Sequence, residues 1–171
     1  MVQPLLVLLC CLTLPAKASE SPFNDLTLSQ AEKADSYSFE VGGHLYGASK
    51  NHNSVFPSSS FLGNIDRINS SNISFFVSLG DNFRRATEEH IVHFKSAVAS
   101  RLKMPFFNAV GNHDVTNRER YEAHFGKTYY CITFRASDSR TATACQRTQK
   151  FITVAKQPLK VLFRSFLRSI E

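Results

Sequence analysis

Three short polar clusters punctuate the front of the chain: Gly42-Gly43-His44, Gly80-Asp81-Asn82 and Gly111-Asn112-His113-Asp114. Their side chains offer imidazole nitrogen, carboxylate oxygen and amide oxygen, the donor types that borderline to hard divalent cations accept. A carboxylate such as that of Asp81 can bridge two ions, and an imidazole that titrates near neutral pH can pass a proton. A glycine ahead of each donor lets the backbone turn sharply and keeps the space beside it open. Each cluster has a plainer reading too. Asp81 suits a helix cap, Gly-Asn suits a turn, and His44 suits an ordinary loop. The case for shared chemistry is the ordered set, each member closing an apolar segment.

Those segments have to place the donors. Residues 36–41 alternate and stop at Gly42-Gly43, which reads as a strand ending in a tight loop. Residues 57–69 put Phe61, Leu62, Ile65 and Ile68 at helical spacing behind Pro57, a residue suited to a first turn. Residues 74–79 form a short apolar run around Phe75, Phe76, Val77 and Leu79, as in a strand buried on both faces. The stripe of Ile91, Phe94, Val98 and Leu102 predicts the clearest helix, over 86–103. Another apolar strand is expected at 105–110, a short helix at 118–125 with Gly126 as its C-cap, and a further strand at 127–134. Strands alternating with helices predict an α/β fold with parallel strands, and ligands gather beyond the carboxyl ends of such strands. All three clusters fall at those ends.

In this order the motifs resemble those of the calcineurin-like metallophosphoesterases, whose front half runs D-x-H, G-D-x-x-D and G-N-H-[DE], each after a strand. Gly80-Asp81 and Gly111-Asn112-His113-Asp114 match the second and third motifs, and Phe125-Gly126-Lys127-Thr128-Tyr129-Tyr130 resembles a segment that follows in exported members. The likeness covers residues 36–134 and implies a mixed sheet flanked by helices, here an incomplete αββα sandwich. It also implies hydrolysis of a phosphate ester on divalent ions, Mn, Fe, Zn or Mg. His44 and Asp81 would be metal ligands, with Asp81 bridging. Asn112 would bind the second ion and the substrate. His113 would stand over the phosphoryl group and stabilise or protonate the leaving oxygen, with Asp114 orienting it. Two positions depart from the pattern: Gly42 stands where the family has Asp, and Arg84 replaces the last acid of G-D-x-x-D. Arg84 then reads as a contact to substrate phosphate. No histidine follows His124, so the family's later ligands have no counterpart in this sequence. The resemblance thus implies an impaired site holding one ion or none, or a non-catalytic secreted module that keeps the fold for binding.

With 171 residues, 43% hydrophobic and 20% charged, the chain has the make-up of one globular domain and not of a fibrous or disordered polymer. Residues 1–18 read as a signal peptide. The apolar run at 5–14 is shorter than the ~20 residues a membrane-spanning helix needs, and Ala16-Lys17-Ala18 forms a small-x-small cleavage site. A secreted or periplasmic protein is expected, in which Cys131 and Cys145 remain and can pair. Residues 19–134 make the partial domain. The net charge of +6 resides in residues 135–171, since the acids and bases of 1–134 balance. Within this basic tail, Leu159, Leu162, Phe163, Phe166, Leu167 and Ile170 lie opposite Lys160, Arg164 and Arg168 on a predicted amphipathic helix. It would touch an anionic membrane, cover the sheet, or represent a non-native ending. His90 and His93 are spaced to share a metal or to face solvent, and Arg85 reads as surface charge. Nothing calls for specific nucleic-acid binding, and no phosphate-binding glycine loop, G-x-S-x-G or dinucleotide fingerprint points to another enzyme class.

Overall fold

The computed structural model describes residues 20–28, 36–47, 50, 54–135, 141–147, 150–155 and 160–165; the expected leader at 1–18 lies outside them. From β1 (Ser36–Gly42) the chain passes through α1 (Ser59–Leu62) and α2 (Ile65–Ser70) to β2 (Phe75–Ser78). It continues through α3 (Glu88–Ala97) to β3 (Phe106–Asn108), then through α4 (Arg118–Phe125) to β4 (Tyr130–Arg135). β5 (Thr141–Arg147), β6 (Lys150–Ala155) and β7 (Lys160–Ser165) follow. One sheet is parallel, in the order β3-β2-β1-β7, and the other is antiparallel, β4-β5-β6. This is an α/β protein, as the alternation of periods predicts.

Register matters most for the site. Gly42 pairs with Ser78, and Ser78 with Asn108, so β1, β2 and β3 end level with one another. The loops that follow them therefore emerge along one edge. Alternation along the strands divides the core. Phe76 and Phe106 pack with Phe61, Ile65, Ile68, Ile91, Phe94 and Phe125 on the helical side. Phe75, Val77 and Phe107 face the other way, against Leu28 and Ile132 of β4. With both faces covered, β2 and β3 are buried throughout, which explains the apolar runs Phe75-Phe76-Val77 and Phe106-Phe107 that open them.

Several elements differ from expectation. The helix read over 57–69 is two, because the Gly63 N–H closes α1 onto the Phe61 and Ser59 carbonyls and Asn64 then starts α2. α3 is shorter than 86–103: Thr87 caps its start by accepting the His90 N–H, and a 3-10 turn, Ala99–Arg101, follows. Its stripe of Ile91, Phe94, Val98 and Leu102 is buried as read. The predicted amphipathic helix in the tail is contradicted, since Lys160–Ser165 is a strand paired in parallel with β1. Val161-Leu162-Phe163 is a short apolar run that fits either period, and the edge of β1 offers backbone groups that a strand can satisfy. β5 and β6 arise where no period was read. Cys131 is in a disulfide, and the β4–β5 ladder sets Cys145 directly opposite it. Residues 20–28 carried no prediction, yet Phe23 stacks on Phe125 at 4.3 Å and Ser21 Oγ donates to the Phe106 carbonyl. Among the described residues no helix is long and apolar enough to cross a membrane.

Candidate active site

The loops beyond β1 and β2 are joined by their backbones before any side chain is considered. The His44 N–H donates to the Gly80 carbonyl at 3.1 Å, and the Leu79 N–H to the Gly42 carbonyl at 2.6 Å. Asp81 then connects all three strand ends. Its Oδ2 lies 3.3 Å from His44 Nε2, and its Oδ1 accepts the His113 backbone N–H at 3.1 Å. The His113 ring is held separately, with Nδ1 2.9 Å from the Arg84 carbonyl. A carbonyl only accepts, so Nδ1 carries the proton and Nε2 is left to exchange one with a ligand.

Between the two imidazoles lies Tyr46, which sequence reading missed. Its ring centroid is 5.3 Å from that of His44 and 5.0 Å from that of His113. The Arg84 guanidinium lies over the same ring, its Cζ 5.6 Å from the centroid. The only advance signal for Tyr46 was an aromatic residue two places after His44, in a loop where a buried ring has no helical or strand period to explain it.

Backbone strain is concentrated here. Asp25, His44 and Asp81 are the non-glycine residues with positive φ among the described residues, and His44 and Asp81, at +52° and +58°, touch each other. Such conformations cost on the order of 1–3 kcal/mol each and persist where surrounding contacts impose them. Gly80, at φ +98°, permits a close approach: a Cβ there would stand 2.5 Å from both the Ala109 carbonyl oxygen and the Gly111 nitrogen. A Cβ on Gly111 would collide with the Asp81 carboxylate.

Asp114 does its work through the backbone. Fully buried, it accepts at Oδ2 from the Asp81 N–H (3.0 Å), the Gly111 N–H (2.9 Å) and the Asn108 amide (3.1 Å). Oδ1 accepts the Asn82 N–H at 2.8 Å. Burial pushes the carboxyl up to about 6, against these hydrogen bonds, which pull it down. The expected contact from Asp114 to the His113 ring is replaced by the Arg84 carbonyl, and Asp114 instead fixes the loop that carries Asp81. Tyr130 braces the same strand end: its hydroxyl donates to the Asn108 carbonyl at 2.8 Å and accepts the Asn108 N–H at 2.6 Å.

Of the remaining candidates, Asn112 is exposed in the turn beside His113, and Arg84 is half-buried. His90 is only 8% exposed, so the solvent-facing alternative for the His90–His93 pair does not describe it; burial lowers its pKa. His124 pairs with Glu88 at 2.9 Å, away from the cluster. Position 42 backs into the core, where a Cβ would meet the Phe76 ring at 2.9 Å.

Two donors about 2.1 Å from a tetrahedral ion stand roughly 3.4 Å apart, so the 3.3 Å between His44 Nε2 and Asp81 Oδ2 suits both a direct pair and two ligands of one cation. Among the described residues, no group of three or more His, Cys, Asp or Glu side chains is arranged to hold a metal ion. His44 and Asp81 are thus two donors at the spacing of one cation's ligands, and Asn112 stands next to His113 on the loop after β3. No protein-family model, curated protein or solved structure matches this chain.

Proposed function

We propose that the strand-end cluster is a reduced metallophosphoesterase-type site, which binds a phosphate ester beside one divalent cation and hydrolyses it slowly in an exported protein. The observation that carries this reading is Asp81 joined at once to His44 and to the loop of His113, three strand ends meeting at one carboxylate. His44, Asp81 and Asn112 would hold the ion, which when bound acidifies water and draws charge from a phosphoryl oxygen. His113, with Nδ1–H committed to the Arg84 carbonyl, gives up a proton from Nε2 to the leaving oxygen when the ring is charged. Tyr46, itself buried, sets the spacing of the two imidazoles.

The test is hydrolysis of p-nitrophenyl phosphate with added Mn²⁺. His113→Ala should lower kcat by roughly 100-fold or more, the usual span of general acid catalysis. Equal turnover in wild type and His113→Ala removes the catalytic assignment. A second reading, phosphate-ester binding without turnover, draws on Gly42 backing into Phe76 where a ligand carboxylate would be needed. It predicts saturable binding of the ester and no release of p-nitrophenol.

A further inference from the structure

We propose that one buried water molecule joins Asn82 to Asn108 beneath the strand-end cluster and so ties the loop after β2 to the end of β3. The site is independent of the phosphate-ester reading and uses none of its ligands. Asn82 and Asn108 are buried, at 1% and 0% exposed. Among the described residues, Asn82 Nδ2 has no acceptor and Asn108 Oδ1 has no donor. A buried polar atom left unpaired bears its full desolvation penalty, and native proteins rarely leave one so. The two amides are neighbours. Ser78 pairs with Asn108 across β2 and β3, and its Oγ donates to Asn82 Oδ1 at 2.6 Å. One carboxylate also lies against both residues: Asp114 Oδ1 accepts the Asn82 N–H at 2.8 Å, and Oδ2 accepts from Asn108 Nδ2 at 3.1 Å.

The partners already present settle which atoms are left over. Ser78 Oγ accepts the Gly80 N–H at 3.1 Å, so its own proton goes to the Asn82 oxygen and the Asn82 nitrogen remains. Asn108 turns its nitrogen to Asp114 and to the Tyr121 hydroxyl, because an ionised carboxylate only accepts, and its oxygen remains. The leftovers are one donor and one acceptor, beyond direct bonding distance of each other. A cation would be repelled by the first and an anion by the second. Water carries both functions in the smallest volume, and buried waters make about three hydrogen bonds each. Tyr121 supplies the third. Its hydroxyl accepts from Asn108 Nδ2 at 3.2 Å, which leaves the O–H free to donate. A water held by Asn82 and Tyr121 donates to Asn108 Oδ1 and keeps that amide turned with Nδ2 on Asp114, the residue that fixes the Asp81 loop.

Two measurements on the full chain test this. A crystal structure at atomic resolution should show a single density peak about 2.7–3.2 Å from both Asn82 Nδ2 and Asn108 Oδ1. In solution, water–protein nuclear Overhauser spectra of the ¹⁵N-labelled chain should give cross-peaks between water and the side-chain amide protons of Asn82 and Asn108. Their sign should be that of a molecule bound for longer than the protein takes to tumble. Asn82→Leu, which removes the donor at similar side-chain volume, should abolish the Asn108 cross-peak and speed hydrogen exchange at the Asn108 amide. A direct bond from Asn82 Nδ2 to Asn108 Oδ1 in the crystal, or wild-type spectra without either cross-peak, overturns the proposal. So does an Asn108 cross-peak that survives in Asn82→Leu, since it would then arise from proton exchange through the Ser78 or Tyr121 hydroxyl.

Discussion

A buried carboxylate surrounded by four donors sets the chemistry of the strand ends at the scale of single residues. Asp114 loses water on burial, and that cost outweighs the Gly111, Asn108 and Asn82 hydrogen bonds enough to leave it titrating at about 6 rather than 3.8. In the unfolded chain it releases its proton near the lower value. Between the two, the native state binds more protons, so this group's contribution to stability is complete below pH 4 and is lost as the pH rises through 6. The loss from this one group is on the order of 3 kcal/mol. Urea unfolding from pH 3.5 to 7 should show that decline in wild type and a shallower one in Asp114→Asn. Parallel curves would mean that Asp114 ionises as freely in the fold as out of it.

The loops act as units at the next scale. Gly111 lies against Asp81 so closely that even a methyl group displaces the carboxylate. Gly111→Ala should therefore open the contact between the β2 and β3 loops, costing about 1–3 kcal/mol by overpacking. It should also separate Asp81 from His113, whose backbone N–H donates to the Asp81 carboxylate. Thermal denaturation and Mn²⁺ titration of the same variant measure the two effects. An unchanged melting temperature together with unchanged Mn²⁺ affinity would show that the loops are not coupled as described. The helices contribute differently: α3 and α4 position the site by covering one sheet face through Phe94 and Phe125, without supplying a ligand.

For the molecule as a whole, the parallel sheet is held from both sides and fails if either side is emptied. Phe76 is fully buried, stacked on Phe106 at 5.6 Å and met edge-on by Phe61 at the same distance. Phe76→Ala leaves a cavity between the sheet and its helices, with an expected cost of about 3–5 kcal/mol. Because native stability is only about 5–15 kcal/mol, that variant should unfold at far lower urea concentration, and His44 should lose its place, since Phe76 also backs Gly42. A urea midpoint equal to that of wild type would show that the core can collapse around the missing ring.

The apolar segments and their punctuation already stated much of this in one dimension. Continuous hydrophobicity marked β2 and β3, a 3.6-residue stripe marked α3, and Gly126 marked the end of α4 at φ +77°. These are local properties, set by which side chains must leave water and which backbone angles a glycine tolerates. Long-range facts had no such signature. Val161-Leu162-Phe163 scans as well for a helix as for a strand, and the free edge of β1 chose the strand. Tyr46 enters the cluster because the level ends of β1, β2 and β3 bring His44 and His113 to either side of it. Asp114 left the His113 ring for the amides of Asp81, Asn82 and Gly111, because those N–H groups converge only once the two loops are packed. Pairing, register and the fate of buried polar groups depend on partners far along the chain, and it is folding that brings those partners into contact.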